Sequence, residues 1–120
     1  MWKRHAIGIA ACLGLLAQSG ITSAQSEKDV FSANSIMPGC RNAMSNNGRE
    51  PIKQGICLGV VQTMLYLSGP VFGLCTPEGA NLEQVLRVVV RYIDQRPDRT
   101  HERFENLALE AVLEAWPCPK

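Results

Sequence analysis

Two stretches near the end of the chain carry apolar residues at helical spacing, with a short polar segment between them. In the first stretch the apolar positions are Leu82, Val85, Leu86, Val89 and Ile93. In the second they are Phe104, Leu107, Ala108, Ala111, Val112 and Ala115. This periodicity predicts two amphipathic helices. Because the segment that joins them is short, we expect the helices to be antiparallel neighbours.

Capping signals mark where these two helices begin. Asn81 followed three residues later by Gln84 resembles a capping box, so the first helix is predicted to start near Leu82. Thr100 is expected to cap the second helix.

A further helix is predicted in the first half of the chain. Ser32 and Asn34 are suitable N-cap residues for a helix that runs through Ala43. Pro38 and Gly39 lie inside this segment and are expected to kink or split it, because proline removes a backbone donor and clashes with the preceding turn.

The segment from Ile52 to Leu67 predicts the helix with the broadest apolar surface. So little of its circumference is polar that we expect it to be the central helix, wrapped by the others. Gly55 and Gly59 lie on it, and each lowers helix stability by up to about 1 kcal/mol relative to alanine. We expect them to permit close approach of another helix. Since no alternating strand pattern occurs, the chain predicts a small all-α bundle of about four helices.

Residues 1–24 have the pattern of a secretory signal peptide. Lys3 and Arg4 form a basic start, an apolar segment too short to span a bilayer follows, and small residues precede Gln25 at a suitable cleavage site. An uncleaved membrane anchor is the alternative. We expect export to the periplasm, removal of residues 1–24, and one domain over residues 25–120 with no membrane contact after cleavage.

Four cysteines follow the predicted signal peptide: Cys40, Cys57, Cys75 and Cys118. An even number in a short exported chain indicates disulfides, and their spacing is too wide for paired ligands of a zinc site. The last two predicted helices have nearly equal lengths, so an antiparallel hairpin places Cys75 beside Cys118 and leaves Cys40 to pair with Cys57. In the loop-entropy model these closures stabilise the fold by about 4 and 3 kcal/mol, respectively.

The same C-terminal stretch carries an ordered set of residues. They are Cys75-x-Pro77-x-Gly79, Gln84, Val88-Val89-x-x-Tyr92, Pro97, His101, Ala108, Ala111 and Trp116-Pro117-Cys118. In this order the set resembles the Tai-type immunity proteins of bacterial type VI secretion. The resemblance implies a periplasmic protein that binds and inhibits a peptidoglycan amidase toxin by occluding its active-site cleft. It also implies a homodimer.

The charge balance and the motifs argue against an enzyme and against a nucleic-acid-binding protein. The chain has 12 basic and 11 acidic side chains, so no strongly basic surface is expected. It contains no phosphate-binding glycine loop and no Gly-x-Ser-x-Gly motif. We therefore interpret it as a binding protein without a cofactor or metal. The alternative is a periplasmic housekeeping or chaperone-like helical protein of the same fold with no toxin partner.

Two loops are candidate contact surfaces, because partner-binding residues concentrate on loops held by a rigid scaffold. The first loop, residues 68–80, offers Phe72 as an apolar anchor and Glu78 as a hydrogen-bond acceptor. The second, residues 95–100, offers charged side chains: Arg96, Asp98 and Arg99. We favour the first loop, because a disulfide at Cys75 would reduce the entropy lost on binding. The alternative is that Phe72 belongs to the core and Glu78 only caps a turn.

Overall fold

The computed structural model describes residues 30–69 and 72–120, so the predicted signal peptide lies outside the described residues. Within these ranges it contains four α-helices and no strand, which confirms the predicted all-α bundle. The helices are α1 (Ala33–Ser45), α2 (Pro51–Tyr66), α3 (Leu82–Asp94) and α4 (Phe104–Ala115). A short 3₁₀-helix, Pro97–Arg99, lies between α3 and α4.

Helix α1 is continuous, so the expected split at Pro38 does not occur. The predicted cap is confirmed, because the Ser32 Oγ accepts a hydrogen bond from the Ser35 N–H at 3.3 Å. The helix ends at Asn46, whose φ of 54° is the left-handed conformation that asparagine tolerates better than most residues.

Helices α1 and α2 approach each other closely where they cross at Gly39. A Cβ built on Gly39 would overlap backbone atoms of Lys53 and Gln54, so no larger residue fits there without moving a helix. The predicted disulfide between Cys40 and Cys57 is confirmed at the same crossing, with the two Cα atoms 5.5 Å apart. Gly39 is therefore present for tertiary contact rather than as a break in the helix.

Helix α2 is peripheral, and the prediction that it is the central helix is wrong. It buries only Cys57, Val61 and Met64, whereas α3 buries six residues. Gly55 and Gly59 face open space, so the expected close approach of another helix of this chain is also wrong. An apolar sequence shows that a helix avoids water, but it does not say which neighbour covers it.

Helices α3 and α4 supply most of the core. The Asn81 cap of α3 is confirmed, since its Oδ1 accepts from the Gln84 N–H at 2.9 Å. The core residues of the two helices are Val85, Leu86, Val89, Val90, Tyr92, Ile93, Phe104, Leu107, Ala108, Ala111 and Val112. They pack on Ala33, Ile36, Met37 and Cys40 of α1, on the buried residues of α2, and on Leu74.

Thr100 does not cap α4, contrary to the sequence prediction. The helix begins at Phe104, and the Phe104 N–H donates to the backbone oxygen of Phe31 at 2.9 Å. The Thr100 hydroxyl instead donates to the Pro97 oxygen at 3.0 Å. A backbone oxygen just before α1 therefore satisfies one of the donors at the start of α4 that have no partner within the helix.

Candidate functional site

The predicted disulfide between Cys75 and Cys118 is confirmed, with the two Cα atoms 4.9 Å apart. Backbone hydrogen bonds support it on both sides. The Cys75 N–H donates to the Trp116 oxygen at 3.0 Å, and the Cys118 N–H donates to the Gly73 oxygen at 3.2 Å. The end of the chain is thereby fixed against the segment that precedes α3.

The contacts between α3 and α4 differ from those of a hairpin with matched ends. The Tyr92 hydroxyl donates to Glu110 at 2.8 Å, and Arg96 donates to Glu114 at 3.2 Å. The last turn of α3 therefore lies beside the second half of α4. Cys75 reaches Cys118 because the backbone of residues 73–75 pairs with that of residues 116–118, and not because the helix ends coincide.

The segment in front of the Cys75–Cys118 disulfide folds back on itself. The Gly69 N–H donates to the Leu74 oxygen at 2.5 Å, and the Leu74 N–H donates to the Gly69 oxygen at 3.3 Å. The Ser68 Oγ lies 2.6 Å from the Thr76 Oγ1 and accepts from the Thr76 N–H at 3.1 Å. These contacts close a narrow loop whose two ends are hydrogen-bonded to each other.

We call residues 68–69 and 72–76 the stapled loop. Leu74 anchors it, because this side chain is almost fully buried in the core. Phe72 instead points outward with 54% of its surface exposed, so it does not belong to the core. Gly73, with φ of 68°, supplies the left-handed conformation that reverses the side-chain direction between the two.

Glu78 lies on a separate turn that follows the stapled loop. The Ala80 N–H donates to the Pro77 oxygen at 3.0 Å, and Gly79 has φ of 85°, as expected for a type II turn. Glu78 occupies the first inner position of this turn and is exposed. Its carboxylate accepts no hydrogen bond from the described part of the chain, so it is available to a partner.

The second candidate loop is used largely inside the molecule. Arg99 donates to both carboxylate oxygens of Glu110, at 2.6 and 3.0 Å, and to both oxygens of Glu102, at 2.7 and 2.8 Å. Such two-pronged pairs are the strongest geometry between arginine and carboxylate. Sequence reasoning found Arg99 but missed Glu110, which lies eleven residues away and carries no local signal.

Arg96 is also engaged, and only Asp98 of the three predicted residues is free for a partner. The Arg96 guanidinium lies 3.6 Å from the centre of the Tyr92 ring and donates to the Tyr92 backbone oxygen at 3.0 Å. Asp98 is exposed and forms no ion pair within the described residues. Asp98 is therefore free for a partner, whereas Arg96 and Arg99 hold α3, the 3₁₀-helix and α4 together.

The Arg99 cluster makes the fold sensitive to acid. Hydrogen bonds from Arg99 and then Tyr92 lower the pKa of Glu110 from 4.5 to about 2, and Arg99 also lowers the pKa of Glu102. A lowered carboxylate pKa means that the ionised form stabilises the folded state. This contribution is complete above pH 4.5 and is lost as the pH falls towards 2.

We therefore expect the melting temperature to fall between about pH 4.5 and pH 2, and Glu110→Gln to reduce that slope, because the glutamine does not titrate. Circular-dichroism melting over this range measures the slope. Glu83→Gln is the matched control, since Glu83 forms a solvent-exposed pair with Arg87 on one face of α3. Equal slopes for the Glu110 variant and the parent would contradict the assignment.

The described residues offer no site for a metal ion and no membrane-crossing helix. No group of three or more His, Cys, Asp or Glu side chains is arranged to bind a metal in this part of the chain. None of the described helices is both long enough and apolar enough to span a bilayer.

The described residues form a small helical domain with two disulfides and an exposed, anchored loop. The model of the Rap1a immunity proteins matches residues 32–118, and the chain belongs to this family. It is a type VI secretion immunity family whose members are typically periplasmic, which implies a toxin partner and a non-catalytic inhibitor. Comparison with curated proteins and comparison with solved structures each gave no match.

Proposed function

We propose that this protein is a periplasmic immunity protein that binds a peptidoglycan amidase toxin and inhibits it with the stapled loop. The observation that carries the proposal is the exposure of Phe72 on a loop held by a disulfide and by its own hydrogen bonds. Membership of an immunity family supports a toxin as the partner. The Tai-type resemblance of the stretch from Cys75 to Cys118 supports an amidase as the toxin class.

Inhibition by such a loop needs no chemistry from the inhibitor. The loop enters the active-site cleft and excludes the peptide strand that the toxin would cleave. Burying the exposed half of the Phe72 side chain in an apolar part of the cleft contributes about 1–1.5 kcal/mol, which is half the value for a side chain that is fully exposed before binding. Because the disulfide already fixes the loop, little conformational entropy is lost on binding. Glu78, on the next turn, adds a hydrogen-bond acceptor beside the anchor.

The second loop is the weaker candidate for the inhibitory surface. A toxin that recruited Arg99 would compete with Glu102 and Glu110 for the same donors, and the broken internal bonds would offset the new contacts. A toxin that recruited Arg96 would likewise have to break its hydrogen bond to Glu114. Of the three residues predicted in this loop, Asp98 alone is exposed without an ion pair in the described part of the chain, so it serves as the comparison for the first loop.

Export is part of the proposal. We propose that residues 1–24 act as a signal peptide and that residues 25–120 form the mature domain. Two disulfides support this, since such bonds persist in the oxidising periplasm and are rare in the cytoplasm. The intact mass of the protein from the periplasmic fraction tests it: a chain that retains residues 1–24 would contradict cleavage.

We also propose that the protein is a homodimer, as the Tai-type resemblance implies. The exposed apolar residues of α2 support this, because a small domain gains stability by covering them. Light scattering over a range of concentrations measures the oligomeric state. The mass of a monomer at every concentration would contradict the homodimer.

The loop assignment predicts that Phe72→Ser weakens inhibition of the proposed amidase toxin by about tenfold or more, since an anchor in the centre of an interface contributes over 1 kcal/mol. The melting temperature should not change, because more than half of the Phe72 surface is exposed. Titration of amidase activity with inhibitor measures the effect.

Two exposed carboxylates provide control variants, and their inhibition is measured by the same titration. Glu78→Ala, next to the stapled loop, should weaken inhibition less than Phe72→Ser, and Asp98→Ala, in the second loop, should leave it unchanged. Arg99→Ala is unsuitable as a test of contact, because it also removes the internal pairs with Glu102 and Glu110. Normal inhibition by the Phe72 variant together with loss in the Asp98 variant would reverse the assignment of the two loops.

A further inference from the structure

We propose that the exposed face of α2 is the surface on which two copies of this chain pair, with a two-fold axis at Gly59. The proposal rests on the homodimer proposed above and adds the surface and the register. The face comprises exposed residues at helical spacing along one side of α2: Ile52, Gly55, Gly59, Thr63 and Tyr66.

This face carries no charged side chain. Ile52 and Tyr66 are 79% and 87% exposed, and open space lies above both glycines. The Thr63 hydroxyl donates to the Gly59 oxygen at 2.8 Å, so its polar group is satisfied within the helix. Two copies would therefore meet here without like-charge repulsion and without leaving this hydroxyl unpaired.

The order of large and small residues makes the face complementary to itself. Ile52 and Tyr66 each lie seven residues from Gly59, on opposite sides. A two-fold axis at Gly59 therefore places Ile52 of one copy opposite Tyr66 of the other, and Gly55 opposite Thr63. The large side chains meet at the two ends, while the glycines allow the two backbones to approach in the middle.

A groove beside Ile52 provides a receptor for the tyrosine ring. It has a volume of about 280 Å³ and is lined by the apolar side chains of Val30, Ile36 and Ile56. Arg49 and Glu50 also line it and offer polar partners for the phenol hydroxyl. Tyrosine is suited to a site that is apolar over most of its surface and polar at one point. Ring and groove lie at opposite ends of the same helix, as a two-fold pairing requires.

A charge-swap experiment tests this register in the protein purified from the periplasm. Ile52→Glu and Tyr66→Lys should each weaken self-association by about tenfold or more, and the double variant should recover most of it. Within one chain these positions are about 21 Å apart along the helix, so recovery can arise only between copies. Sedimentation equilibrium measures the dissociation constants.

Gly59→Arg is the second variant, because it raises the helix propensity of the monomer while blocking the contact. It should shift the protein to monomer, and at concentrations where the parent is also monomeric its melting temperature should not fall below that of the parent. Leu109→Arg is the control, since Leu109 is 41% exposed on a different helix, α4, and the variant should leave the dimer intact.

The outcomes distinguish the surface from the rest of the proposed function. A parent protein that sediments as a monomer at every concentration overturns both the homodimer and its surface. A dimer that is unaffected by the α2 variants, or equally weakened by Leu109→Arg, overturns the surface alone. α2 variants that remain dimeric but lose inhibition would show that the toxin covers this face and would also overturn it. Inhibition through the stapled loop is tested independently by Phe72→Ser.

Discussion

Replacing Cys75 and Cys118 together by serine is expected to lower the free energy of unfolding by about 4 kcal/mol and to abolish inhibition. The stability change follows from reopening a chain segment that spans 43 positions. The loss of inhibition follows because Phe72 would then lie on a flexible loop, and ordering that loop on binding costs conformational entropy. Urea unfolding and titration of amidase activity measure the two effects.

The second disulfide gives the matched control for this change. Replacing Cys40 and Cys57 reopens a separation of 17 positions and should lower the free energy of unfolding by about 3 kcal/mol. That bond lies at the crossing of α1 and α2 and does not touch the stapled loop, so the variant should still inhibit at temperatures where it is folded. If both double variants inhibited equally well, the rigidity of the loop would have no role in binding.

Gly39→Ala is expected to destabilise the fold by about 3 kcal/mol or more, because the added methyl group overlaps the backbone of α2. Flexible side chains can move aside, but the Lys53 and Gln54 backbone is held by its own helix and by the adjacent disulfide. The two helices would have to separate at their crossing. Urea unfolding monitored by circular dichroism measures the change.

Gly59→Ala is the matched control, with the opposite expected sign. Its added methyl group contacts none of the described residues, so the variant should gain up to about 1 kcal/mol from the better helix propensity of alanine. The measurement belongs in the monomeric concentration range, since Gly59 is placed at the proposed dimer axis. Equal effects at the two positions would contradict the contact described for Gly39.

The parts of the fold that are encoded locally could be predicted from the sequence. The cap at Asn81, the extent of α3 and the apolar face of α4 depend on residues within one or two turns, so the pattern contains the information. The disulfide partners were also predicted, although the matched helix ends used to pair Cys75 with Cys118 are not how the structure closes that bond.

The remaining features depend on residues that are distant in sequence. The role of Gly39 requires knowing that α2 crosses α1 at that point, and nothing near Gly39 records the crossing. The pair between Arg99 and Glu110 joins the 3₁₀-helix to the middle of α4. For Phe72 the sequence showed an apolar residue among turn residues, and only the structure decides that it is exposed while Leu74 is buried.

The two disulfides join cysteines that are consecutive along the chain after residue 24: Cys40 with Cys57, then Cys75 with Cys118. In a chain that crosses a membrane with its N-terminus leading, thiols emerge in this same order. Exchange with an external disulfide, which takes up the two electrons released by each pair of consecutive thiols, then yields the native pairs with no wrong bond to be reshuffled. Cys118 is the last of the four cysteines, so in such a chain the second bond closes only after Cys118 has crossed the membrane. The disulfide that fixes the stapled loop would then be the last to form, and a chain truncated before Cys118 could not form it.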